Sequence, residues 1–240
     1  MPKNYWYIIL VYVAVAQLSS AIAVPVLMVL GVEKNTAITY WSVTAFLIAT
    51  IIILFMLRKD MSQALETRSR SSIGEIALWS FLGIFIAFFA QMIAGMIETF
   101  LLGIKPGSEN TQDLMERARM SPIFISIMVL FAPILEEIIF RKIIFGQIYK
   151  RTNFFIAVIV SAIAFAAFHI DFTHMIVYTA MGITFAFLYV KTKSIVTPII
   201  AHMAMNAIVV LVQYNLTEED IERMQQQYEN LQTIIGGLFL

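Results

Sequence analysis

Residues 123–149 read IFISIMVLFAPILEEIIFRKIIFGQIY. A membrane-crossing helix needs roughly 20 mostly apolar residues. This stretch is long enough, yet Glu136, Glu137, Arg141 and Lys142 sit within it. The rest of the chain tells which solvent surrounds it. Of 240 residues, 60% are hydrophobic and 13% charged, and mean hydropathy is +0.83. A soluble domain carries roughly 45–50% apolar and about 25% charged residues. Charges this sparse cannot cover a water-facing surface, which excludes an ordinary cytosolic enzyme and a disordered chain. The 16 basic and 16 acidic residues cancel, so no basic field attracts nucleic acid. Cys is absent, which excludes disulfides and thiolate metal sites. The expected fold is all-α, a polytopic transmembrane helix bundle with membrane lipid as its partner.

Working outward, seven segments are candidate spans: 6–30, 40–57, 76–102, 123–149, 153–170, 174–190 and 195–214. Pro25 is expected to kink the first. That segment resembles a secretory signal, but its apolar run is too long and six more follow, so it reads as a retained helix. Three regions result. Residues 1–121 hold three helices and their joints, 122–214 a core of four helices, and 215–240 a polar and then apolar tail. In the tail, Glu218, Glu219, Asp220 and Glu222 lead to an apolar stretch at 234–240, too short to span and suited to the interface. With the N-terminus inside, nine Lys/Arg fall in inner joints and five in outer ones. This bias predicts a multi-pass protein of the cell membrane with a cytoplasmic N-terminus. Small residues recur four apart, as in Ala162/Ala166 and Gly182/Ala186, which allows close helix contact in lipid.

Ionisable residues inside a span are costly and mark function. They cluster in three places. Glu137 and Arg141 are four apart and share a helix face, so they can pair. Glu136 lies about 100° around the helix, with no partner of opposite charge at that spacing. One carboxylate is thereby neutralised and the other points into the bundle, where it suits a general base. Phe165 and His169 are four apart late in the fifth segment, and His202 and Asn206 are four apart in the seventh. Alone, each cluster is also explained by helices held together through buried polar contacts. His174 is expected to face water or to cap the sixth helix.

Depth relates the clusters. Counting from the joint after the fourth segment, Glu136 and His169 lie about 21 and 24 Å along adjacent antiparallel helices. His202 lies only about 12 Å past its own joint. Depth thus favours a Glu136/His169 pair, unless the joint before the seventh helix enters the membrane or that helix tilts. Pro198 is expected to distort the start of that helix. A carboxylate, two imidazoles and a carboxamide around one cavity could activate water and bind an oxyanion. In that scheme Glu136 takes a proton from water, helped by His169. His202 and Asn206 donate to the oxyanion. A divalent metal such as zinc, held by Glu136, His169 and His202, is the other route from the same residues. No HExxH and no GxSxG motif is present.

Glu136-Glu137-x-x-x-Arg141, Phe165-x-x-x-His169 and His202-x-x-x-Asn206, in that order on separate helices, resemble the motifs of the CPBP family of intramembrane proteases. This family includes CAAX prenyl endopeptidases and bacteriocin-processing or immunity proteins, also called Abi. The matched core covers roughly residues 122–210. The resemblance implies an endopeptidase acting within the membrane on a peptide or lipidated-protein substrate. It implies catalytic roles for Glu136, His169, His202 and Asn206, with Glu137, Arg141 and Phe165 in support. Two other readings compete. One is a proton-coupled transporter, since intramembrane Glu and His also line proton paths. The other is a non-catalytic immunity or binding protein on the same scaffold.

Overall fold

The computed structural model describes residues 1–66, 71–217, 219, 220, 223, 226, 227 and 230, without the side chains of 61–66. Glu218, Glu222 and the apolar 234–240 stretch lie outside the described residues. Among the described residues the chain is helical, with no strand. The helices are α1 (Lys3–Val29), α2 (Lys34–Glu66), α3 (Ile73–Leu101), α4 (Glu109–Met120), α5 (Pro122–Tyr149), α6 (Phe154–Phe168), α7 (Met175–Thr192) and α8 (Val196–Asn215). The all-α polytopic bundle is what composition demanded, because in lipid a helix satisfies its own backbone.

Six of these helices, α1, α2, α3, α5, α7 and α8, are long and apolar enough to cross a membrane. The expected seventh, α6, has 15 residues. At about 1.5 Å per residue it covers about 22 Å of a hydrocarbon core of about 30 Å. It ends at His169, and Ile170 beyond it takes a φ of +56°. Other boundaries also differ from the sequence reading. Basic residues Arg58 and Lys59 continue α2 instead of ending it. The polar joint after α3 contains an entire amphipathic helix, α4. Helix α1 runs on through Pro25, and its irregular turns are the π-wound residues Tyr12–Leu18.

Helix starts are capped from nearby sequence. Ser72 and Glu75 form a reciprocal capping box on α3, and Asn153 accepts from Ile156 N–H on α6. Glu33 accepts from the N–H groups of Asn35 and Thr36, which hold its carboxyl below the usual range. Helix α7 differs. Its N-terminal N–H groups, from Ile176 and Val177, donate to Glu98 at the end of α3.

The most buried span is α5, half of it inside the bundle. Leu135, Ile138, Ile139, Phe140 and Ile143 pack there with Ile8, Leu57, Phe165, Phe185 and Met205 from surrounding helices. Phe81, Phe85 and Phe89 on α3 face outward, as lipid allows. Small residues bring helices together as expected. A Cβ added at Gly182 would lie 2.7 and 2.8 Å from Ala162 Cβ and Cα, so α6 and α7 touch nearly backbone to backbone. At Gly83 the nearest obstacle is the flexible end of Leu188. Gly182→Ala is therefore expected to lower stability by about 1–3 kcal/mol. Gly83→Ala should cost less, and thermal unfolding of the two purified variants checks the order.

Candidate active site

Helix α5 is irregularly wound. Residues Ile127–Phe131 and Glu137–Phe145 are π-helical, on either side of one α-helical turn that ends at Glu136. Such turns leave carbonyls out of the regular ladder and recur at functional sites. Met128 carbonyl accepts a 2.9 Å hydrogen bond from Asn206 Nδ2 on α8. That bond ties the first π stretch to the helix bearing His202.

The expected Glu137–Arg141 pair forms, with Arg141 Nε 3.2 Å from Glu137 Oε2 and both side chains fully buried. The guanidinium lies 4.1 Å from the Phe165 ring centroid and 5.3 Å from that of Phe185. Its charge is therefore balanced by one carboxylate and two aromatic faces. Glu137 Oε1 is 2.9 Å from His202 Nδ1. A carboxylate only accepts, so Nδ1 carries the proton and Nε2 points elsewhere. It points at Glu136, with Oε2 3.9 Å from His202 Nε2. Phe185 stacks on the His202 ring at 4.6 Å and holds its plane. Arg141, Glu137, His202 and Glu136 thus form one charge-ordered row. Glu136 retains some exposure, and it lines the cavity.

That cavity, about 350 Å³, is lined by Glu136, His169, His202 and Asn206 among others. All four expected residues share it, but the close contact differs from the expectation. His202, not His169, approaches Glu136. The depth estimate assumed regular α-helical rise and an exposed last joint. Instead α5 is π-wound beyond Glu136, and around the joint into α8 Thr192, Ser194 and Thr197 are buried while Lys193 is exposed. Pro198 sits in the first turn of α8, where its missing N–H costs nothing. His169 Nδ1 is 2.8 Å from Phe165 carbonyl, which fixes the proton there and leaves Nε2 as the free acceptor.

A metal would need several of these groups to converge. Among the described residues no group of three or more His, Asp or Glu side chains does so. Glu136, His169 and His202 in this arrangement do not fit the metal site that the sequence allowed.

Sequence reasoning missed several polar residues. Tyr12 and Gln17 from α1, Gln91 from α3 and Tyr178 from α7 also line the cavity. No motif marked them. Glu98 is almost fully buried and binds His174 Nδ1 at 2.8 Å. His174 does precede α7, but its ring is enclosed between Glu98 and Gly107 carbonyl rather than in water. A lone acid at the end of an otherwise apolar segment was the available signal for this pair.

Removing Arg141 tests the row. Arg141→Met leaves Glu137 buried with only His202 against its charge, and is expected to cost about 3–5 kcal/mol. Thermal unfolding of the variant beside the wild type measures it.

Comparison with known proteins agrees with the motif reading. A profile described as type II CAAX prenyl endopeptidase Rce1-like matches residues 118–208. The putative membrane peptidase YdiL of Bacillus subtilis is 44% identical over the full length of both chains. The membrane-embedded CAAX protease MroQ of Staphylococcus aureus is 36% identical, over 82% of each chain. No solved structure matches. With the three motifs in one cavity and relatives aligned across most of its length, this chain belongs to the CPBP family of membrane-embedded, CAAX-type proteases.

Proposed function

We propose that this protease hydrolyses a peptide bond in a membrane-associated peptide or lipidated protein, with Glu136 as the general base. The carrying observation is the row Arg141–Glu137–His202–Glu136 at the wall of the cavity. Arg141 pairs with Glu137, Glu137 orients His202 through Nδ1, and Glu136 is left without an Arg or Lys partner. A carboxylate so placed takes a proton from water. The oxygen attacks the scissile carbonyl carbon, and the carbonyl π pair moves to its oxygen. Asn206, whose second N–H is not used by Met128, is the donor for that oxyanion. The C–N bond then breaks, and the proton held by Glu136 passes to the amine. His169 offers Nε2 as a second acceptor for water.

The substrate class rests on the names of the matching profile and of MroQ. It also rests on a cavity that opens among apolar helices. Cells producing wild-type protein should show peptide termini that vanish with Glu136→Ala, while the variant still inserts at normal level. Equal termini in both would overturn the assignment. On a reporter built from such a terminus, cleavage should persist in chelator, and Glu136→Gln should lower kcat by about 10²–10⁴.

The N-terminus is assigned to the cytoplasm by the Lys/Arg distribution. Because the chain has no Cys, single cysteines at Lys3 and Lys105 give a clean check. An impermeant thiol reagent added to intact cells should label Lys105→Cys and spare Lys3→Cys.

A further inference from the structure

We propose that Tyr178 is a positioning residue for His169, and that α4 controls it through a hydrogen-bonded chain from Asn110 through Tyr178 and Ser108 to Asp171. The proposal rests on the hydrolytic reading above and deepens it.

The Tyr178 ring stacks on the His169 imidazole, with centroids 4.1 Å apart and planes 28° apart. Phe165 meets the same imidazole edge-on at 4.5 Å. With Nδ1 bonded to Phe165 carbonyl, one bond and two rings define the imidazole. Rotation about the Nδ1 bond is the remaining freedom, and the Tyr178 face blocks it. Nε2 is thereby held in one direction within a cavity that both residues line.

Tyr178 is itself held from outside its helix. Ser108 Oγ donates to Asp171 Oδ2 at 2.7 Å. Having given its one proton there, Ser108 accepts from the Tyr178 hydroxyl at 3.0 Å. It also accepts from Thr111 N–H at 3.1 Å, as the N-cap of α4. Asn110 Nδ2 donates to the Tyr178 hydroxyl at 3.4 Å. Every proton and lone pair of the Ser108 hydroxyl is thus used, and each member fixes the next.

The backbone beside His169 shows why a tie is needed. Ile170 takes φ +56°, a left-handed conformation that costs an ordinary L-residue about 1–2 kcal/mol. Such strain persists only where surroundings hold it. Asp171, the next residue, is held by Ser108. Its other oxygen faces His174 N–H at 3.4 Å. The loop following His169 is thus fastened to the start of α4. Gly103 and Gly107, both at positive φ, join α4 to α3. The far end of α4 is fastened by Arg119 to the carbonyls of Gln213, in the last turn of α8, and Leu216, just after it. Asn110, Thr111 and Leu114 on α4 line the cavity beside His169. A helix at the substrate cavity therefore sets the orientation of an imbedded imidazole without touching it.

The test is steady-state kinetics of the full chain in lipid nanodiscs, on the reporter built from a Glu136-dependent terminus. Tyr178→Leu removes the stacked face and is expected to lower kcat about 10- to 100-fold with KM within about twofold. Tyr178→Phe keeps the face but loses the hydroxyl anchor, and is expected to lower kcat by an amount between wild type and Tyr178→Leu. Ser108→Ala and Tyr178→Phe combined should lose no more than the larger single loss, because they cut one chain. Wild-type kcat in Tyr178→Leu would overturn the proposal. So would a loss confined to KM, which would make Tyr178 a substrate contact, or additive losses in the double variant. If Tyr178→Leu fails to fold, the Ser108/Tyr178→Phe pair still decides. If no Glu136-dependent terminus exists, the hydrolytic reading fails first and takes this proposal with it.

Discussion

A guanidinium with no access to water is the constraint on which the site is built. Moving an ion from water to low dielectric costs several kcal/mol even after relaxation. Arg141 offsets that cost with Glu137 on its own helix and with the faces of Phe165 and Phe185 from two others. Each contact is directional, so α5, α6 and α7 cannot slide relative to one another without exposing the charge to hydrocarbon. Glu137 has a second oxygen, and His202 on α8 takes it. Four helices are thereby locked in register by one buried cation.

The order of protons follows from the same row. Had Glu137 lacked Arg141, it would compete with Glu136 for the proton that a hydrolytic cycle moves. With Arg141 beside it, Glu137 is occupied by the guanidinium and by His202, and in the proposed cycle the mobile proton is assigned to Glu136. Two adjacent glutamates thus have separate duties because only one is 3.2 Å from a cation. Asn206 is anchored on the Met128 carbonyl within the first π-wound stretch of α5.

Much of this was legible in the chain. Charge scarcity named the solvent, and spacing of four paired Glu137 with Arg141 and left Glu136 free. The small-residue spacing marked helices able to approach closely, and Gly182 does meet Ala162. What escaped reading was geometry that depends on departures from regular helix. A count of residues at α-helical rise set Glu136 opposite His169. In the structure α5 is π-wound beyond Glu136, and His202 is the imidazole that approaches it. Contacts across long sequence separation escaped as well. Glu98 caps a helix more than 70 residues away, and Tyr178 reaches His169 and Ser108 from a segment with no motif. Helix α4 was hidden because a polar joint and a polar helix share a composition. Its cap, Ser108, was the one local sign.

The brevity of α6 has a consequence for the surrounding lipid. A hydrophobic element about 8 Å shorter than the acyl region cannot match an undisturbed bilayer. The leaflet beside it must pinch inward, or water must fill the deficit. Either response brings the aqueous boundary down toward His169, at the end of that helix. A hydrolase needs water where hydrocarbon should be, and a helix this short lowers the cost of bringing the two together.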